Sequence, residues 1–277
     1  MTIFIASAFS KNNEGGNKAG VCLLGEALNR QQKQGIARHL GFSETAFIST
    51  GKKGFKVEYF TPVEEVPLCG HATIASFVVM REKLPLKKTE YTIETKACSL
   101  SVVLEGDTIF MEMTKPLFYE TLSKEGIAKC FDIDVVNESL PILIGSAGLR
   151  DILLPIKDLG TLEAMKPNFD EISSISRKND AVGIHAFAFD NEERIICRNF
   201  APLYGIPEES ATGTGNCVLA GYLWENRIVR KSEYTFEQGH SLNSPSEIIV
   251  RLTTVGDDIQ KAVVGGKGYL IGEEHYL

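Results

Sequence analysis

Alternation of apolar and polar positions dominates this chain, interrupted by two runs in which nearly every position is apolar or small. Residues 3–9 alternate as a strand does, a turn-rich polar run fills 10–17, and the apolar stretch 19–24 reads as a buried strand. Residues 29–39 have helical spacing, and Gly41 offers a C-cap. Strand patterns return at 43–48 and 55–60. The first apolar run follows at 72–83, where Ile74, Ala75, Phe77, Val78, Val79 and Met80 would cover most of a helix's circumference, as expected of a helix enclosed by sheet. Further strands are predicted within 91–109, with turns at Thr95-Lys-Ala and Glu105-Gly-Asp, and 110–113 closes this half.

The second half repeats the theme. Residues 115–119 read as a crossover, and helices are predicted near 124–130, 159–166 and 170–178. Strands are predicted at 140–144, 151–155, 181–190 and 194–199, the last two paired around an acidic turn. A second apolar helix runs from about 215 to 225, followed by strands at 233–238, 246–252 and 260–265. Regular strand–helix–strand alternation is not evident, so the pattern predicts an α+β fold and not a doubly wound one. The expected division is an N-terminal lobe over 1–115, with 267–277 packing back onto it, and a C-terminal lobe over 116–266.

Each apolar helix is entered in the same way. Phe60-Thr-Pro leads through an acidic turn into Leu68-Cys-Gly-His-Ala-Thr73, and Phe200-Ala-Pro leads through Glu208-Glu-Ser210 into Ala211-Thr-Gly-Thr-Gly215. A helix opening collects backbone N–H groups and the positive end of the helix dipole, which suits a carboxylate. Two such turns, one per half, predict two similar lobes with a site between them.

Composition narrows the function. A net charge of −7 argues against a nucleic-acid surface, which needs basic patches. No apolar run approaches the ~20 residues of a membrane span, and the first residues lack the basic start of a signal peptide, so a cytoplasmic protein is expected. Six scattered cysteines fit neither a zinc site nor a disulfide framework, and most read as small buried hydrophobes, Cys69 in its polar turn excepted. His39, His185, His240 and His275 share no metal-ligand spacing and read as structural or surface residues; Gly213-Thr-Gly215 is too short for a dinucleotide or phosphate loop. No cofactor and no metal is expected.

Gly16-Asn-Lys-Ala-Gly-Val21, Ser43-Glu-Thr-Ala-Phe47, Phe60-Thr-Pro, Glu65-Val-Pro-Leu-Cys-Gly-His-Ala-Thr73, the 208–214 turn and Phe236-Glu-Gln-Gly239 occur in that order. With these segments the chain resembles, over essentially its full length, the PhzF family of phenazine-biosynthesis-like isomerases. The resemblance implies two pseudo-symmetric lobes of the diaminopimelate epimerase type, each a mostly antiparallel sheet wrapped around a central helix. It implies that Glu44 is a general acid/base shifting a proton on a small carboxylate, with His71 and Glu209 assisting. It further implies substrate contacts from Asn17, Cys69, Gly70, Ala72, Thr73, Thr212, Gly213, Thr214 and Gly215, and a homodimer. The chain departs from the family's common Glu-Asp-Pro at Glu208-Glu-Ser210, from Asn-Pro at Asn17-Lys18, from Ser at Thr214, and from Arg-Pro-Ser at Ser244-Pro-Ser246.

Two other readings stand beside this one. A catalytically idle binding module of the same fold is the first. A two-base racemase is the second, and it is disfavoured because the related racemases oppose two cysteines, whereas the partner position of Cys69 is Thr212.

Overall fold

A computed structural model describes residues 1–52 and 54–276. The chain divides into two compact units, Met1–Glu112 with Gly265–Leu277, and Met113–Val264.

In the first unit, strand Thr2–Ala8 pairs antiparallel with Asn17–Leu23 on one side and with Gly268–His275 on the other. Asn17–Leu23 then pairs parallel with Thr45–Thr50, through the helix Arg30–Leu40. Local chemistry fixes that helix. The Asn29 side chain accepts from Gln32 N–H while the Gln32 side chain accepts from Asn29 N–H, and Gly41 ends it in the left-handed conformation at φ 67°. Thr45–Thr50 pairs antiparallel with Phe55–Phe60, which pairs parallel with Glu90–Glu94 through the central helix Gly70–Lys83. Every residue of that helix from His71 to Met80 is buried.

The second unit repeats this order of pairings. Ile142–Ser146 pairs antiparallel with Arg150–Pro155, which runs parallel to Gly183–Phe189 by way of helices Leu159–Ala164 and Phe169–Lys178. Gly183–Phe189 pairs antiparallel with Ile195–Ala201, which runs parallel to Glu233–Gln238 by way of the central helix Gly213–Glu225. An apolar cluster that includes Ile144, Ile152, Leu154, Ile172, Ile184 and Phe200 fills one part of this unit's core.

The α+β expectation holds, with one correction. Each unit carries two parallel crossovers, so strand–helix–strand units are present where the sequence did not reveal them. Two of the crossovers wind through the apolar central helices, whose uniform hydrophobicity carries no amphipathic period. Part of the crossover expected at 115–119 belongs instead to the strand Leu117–Leu122, which pairs with Ile142–Ser146. The second central helix opens at Gly213, two residues earlier than expected. No helix among the described residues is long and apolar enough to cross a membrane.

Candidate active site

The first cluster assembles where the central helix of the first unit opens. Cys69 takes an extended conformation (φ −145°, ψ 124°), and the intrahelical ladder begins with Thr73 N–H donating to the Cys69 carbonyl at 3.1 Å. The Thr73 hydroxyl donates to the same carbonyl at 2.6 Å. Its one proton is thereby used, so Tyr59, 2.6 Å away, must donate to it. Burial pushes the Tyr59 phenol far up, which keeps it a neutral donor. The helix N-terminus is thus braced from within the core.

On this brace sits His71, 5% exposed. Its Nδ1 faces the Cys69 sulfur at 3.5 Å, and its Nε2 faces both Ser43 Oγ and Glu44 Oε2 at 3.3 Å. Glu44 directly precedes the strand Thr45–Thr50, and its carbonyl accepts from Gly20 N–H at 3.3 Å, so the parallel pairing holds its backbone in place. Its Oε2 is buried and has no hydrogen-bond donor among the described residues, because His71 Nε2 lies off the line of a bond. A buried carboxylate oxygen without a donor is costly, and native structures keep few of them.

Glu44, Cys69 and His71 each present a ligand atom within 4.8 Å of the others, a set that could reach a cation. The two ring nitrogens of His71 face different partners, Cys69 on one side and Ser43 with Glu44 on the other. The cluster is a thiol, an imidazole and a carboxylate in a row, with the imidazole between the other two.

The other predicted residues of this unit are placed as follows. Asn17 opens the strand Asn17–Leu23, buried and opposite Ala8, about 10 Å along that strand from Gly20. Gly70 and Ala72 belong to the first helical turn. Thr73 is fully buried with its hydroxyl bonded on both sides, so its side chain braces the turn and does not face a ligand. Ser43 was missed by residue-level reasoning, although it lies inside the Ser43-Glu-Thr-Ala-Phe segment.

A second cluster forms within the second unit. Thr212 is the N-cap residue of its central helix, the place that Cys69 holds in the first unit. The Thr212 hydroxyl donates to Glu209 Oε2 at 2.5 Å. Gln238, fully buried, accepts from Thr212 N–H and donates to the Glu209 carbonyl and to Thr212 Oγ1. The neighbouring acid, Glu208, is held by Arg198 through two hydrogen bonds of 2.9 and 2.8 Å. Of the two adjacent glutamates, Glu209 is therefore the one turned to the helix opening. Gly213 and Thr214 begin the helix, while Gly215 is a packing position: a Cβ there would lie 2.7 Å from the His185 ring. Gln238 and Arg198 carried no recognisable signal beyond the Glu-Gln-Gly segment that contains the first.

The cysteines mostly match the expectation of burial. Burial pushes the thiols of Cys22 and Cys217 up to about 12 and that of Cys130 to about 11. Cys69 is buried too, and Cys98 is the exposed exception.

Comparison with known proteins places these clusters in context. The family model described as "Phenazine biosynthesis-like protein" matches residues 6–273. An uncharacterised isomerase of Deinococcus radiodurans is 32% identical, over 94% of this chain and 89% of its own length. The uncharacterised isomerase YfhB of Bacillus subtilis is 30% identical over 95% and 94%. The crystal structure of a PhzF-family phenazine biosynthesis protein from Bacillus anthracis matches with a TM-score of 0.91 at 29% identity, covering 100% of this chain and 99% of that one. A hydroxyproline epimerase from Agrobacterium vitis shares the fold at a TM-score of 0.65 and 12% identity, covering 99% and 90%. Motif order, the paired helix openings and these likenesses agree, and the chain belongs to the PhzF family of phenazine-biosynthesis-like isomerases.

Proposed function

We propose that this isomerase works without a cofactor, moving a proton between carbons of a small carboxylate substrate with Glu44 as the acid/base. The observation that carries the reading is the buried, donorless Oε2 of Glu44 beside His71 at a helix N-terminus. Deprotonating carbon beside a carboxylate needs a base held close and donors where enolate-like charge gathers. Glu44 supplies the base. His71 supplies a donor within reach, and the positive end of the helix dipole favours the substrate carboxylate. Glu209 and Thr212 form a second acid–hydroxyl pair that assists. A two-cysteine racemase fits less well, because the N-cap place equivalent to Cys69 carries the Thr212 hydroxyl. The same reading takes the protein as a cytoplasmic homodimer, whose mass sedimentation equilibrium would report.

Deuterium uptake tests the proposal. Protein in D₂O is offered a panel of small carboxylates, including a dihydro-hydroxyanthranilate and substituted prolines, with Glu44→Gln in parallel. Uptake by the wild type and its loss in the variant are expected. Equal uptake by both would overturn the role of Glu44, and no uptake with any substrate would overturn the reaction class.

A further inference from the structure

Behind the Glu209–Thr212 pair lies a row of buried polar side chains with no assigned role. His185 stands opposite Asn199 across one strand pairing, and Asn199 stands opposite Glu209 across the next. Asp151 lies two residues from Leu153, the partner of His185, and so shares its face of the sheet. Asp151, His185 and Asn199 are each at most 2% exposed, and Asn216 on the central helix is fully buried. Gly215 lets the His185 ring approach that helix.

The direction of each hydrogen bond follows in turn. Asn199 Nδ2, which only donates, stands 3.1 Å from His185 Nδ1, so Nδ1 accepts. Burial pushes His185 down to about 4, leaving a neutral ring with its one proton on Nε2. Asn216 Nδ2 donates to the Thr212 carbonyl and to Gln238 Oε1, both at 2.9 Å, which leaves Asn216 Oδ1 as an acceptor. Within this row, two buried side-chain atoms have no partner in hydrogen-bond geometry among the described residues, His185 Nε2 and Asn216 Oδ1, and they are complementary. Gln238 Oε1 is filled by Asn216 and by Thr212 N–H, so its Nε2 donates to the Glu209 carbonyl and to Thr212 Oγ1. With that oxygen accepting, the only proton of Thr212 points at Glu209 Oε2.

We propose that His185, as its Nε2–H tautomer, donates to Asn216, and that His185, Asn216 and Gln238 are positioning residues that lock the Thr212 hydroxyl as a donor to the Glu209 carboxylate. The proposal rests on the reading of Glu209 and Thr212 as site residues only for its functional meaning. The hydrogen-bond order itself is measurable without substrate. A network with every polarity fixed holds the Glu209 carboxylate as an ionised acceptor; a loosely satisfied network would let the hydroxyl rotate.

Two measurements test it. Long-range ¹H–¹⁵N NMR of histidine-labelled protein, with His185→Phe to identify the signals, should show Nε2 protonated and Nδ1 bare from pH 5.5 to 8. An Nδ1–H tautomer or an imidazolium in that range would overturn the proposal. In Gln238→Leu and Asn216→Leu, ¹³C NMR of the Glu209 carboxyl should show its titration moved upward, because a carboxylate robbed of a donor ionises less readily. An unmoved titration in a variant that still melts cooperatively would overturn it equally. The tautomer is read on the wild type, so the test survives variants that fail to fold. Inactivity of the panel substrates would leave both readouts intact, which separates failure of this inference from failure of the proposed reaction.

Discussion

Asp151 and His185 should be almost invisible in the pH dependence of stability until one of them is removed. Burial raises Asp151 to about 7 and lowers His185 to about 4. In the folded state the pair therefore binds one proton between about pH 4 and 7, wherever on the pair that proton resides. In the unfolded chain, with reference values of about 3.9 and 6.5, the pair also binds one proton between about pH 4 and 6.5. Stability changes with pH only where the two states bind different numbers of protons, so the two contributions cancel. Asp151→Asn leaves His185 alone, neutral when folded and charged when unfolded below pH 6.5. Stability is then lost as pH falls from about 6.5 to 4, by ~1.4 kcal/mol per unit over ~2.5 units, or about 3 kcal/mol. His185→Phe leaves Asp151 alone, protonated when folded and ionised when unfolded. Its stabilisation is complete below about pH 4 and is lost as pH rises to about 7, roughly 4 kcal/mol in all. Urea unfolding at pH 4.5, 5.5 and 6.5, taken as differences from the wild type, should give slopes of opposite sign, each about 1.4 kcal/mol per pH unit. Flat difference curves for both variants would refute the reasoning.

Three further substitutions probe the braces of the two turns. Arg198→Met leaves Glu208 without its bidentate partner at side-chain exposures of 11% and 9%, and urea unfolding should report a loss of about 2–4 kcal/mol. Gly239→Ala forces a Cβ to within 2.2 Å of the Ser244 carbonyl oxygen at φ 82°, and calorimetry should show a melting temperature lower by several degrees; an unchanged Tm would contradict the geometry. Tyr59→Phe removes the donor to Thr73, for a loss of about 1 kcal/mol by urea titration, with a larger fractional loss of deuterium-exchange rate than of substrate affinity as the Cys69 turn loosens.

What was legible in the sequence was what local chemistry decides. The helical run at 29–39 and the Gly41 stop lie within a dozen residues and need no tertiary context; Gly41 ends the helix as read, while Asn29, read as its first residue, is its N-cap. The helix-opening turns were legible for the same reason. Parallel pairings were not, because Gly20 meets Thr45 only after a helix intervenes, and an enclosed helix shows no periodic face to mark a crossover. Pairing also decides which glutamate faces the helix opening. Nothing local distinguishes Glu208 from Glu209; their orientations depend on Arg198, which holds Glu208 through two hydrogen bonds. The buried row from Asp151 to Asn216 draws on four separate stretches of chain, and each member alone reads as an ordinary polar residue. The exposure of Cys98 was hidden likewise, since its turn between Glu90–Glu94 and Ser99–Glu105 gave no sign of facing water.

The first unit is completed by a strand that the chain makes only after the whole of the second. Thr2–Ala8 waits for Gly268–His275 as its partner on one side. At about 5–20 residues per second, synthesis of the intervening chain takes roughly 13–50 seconds. During that time the early strand presents an unpaired edge, the kind of template that invites wrong partners. The second unit has all its own strands by then and faces no such wait. In a nascent chain of this design the first unit's sheet closes only after the second unit has been made.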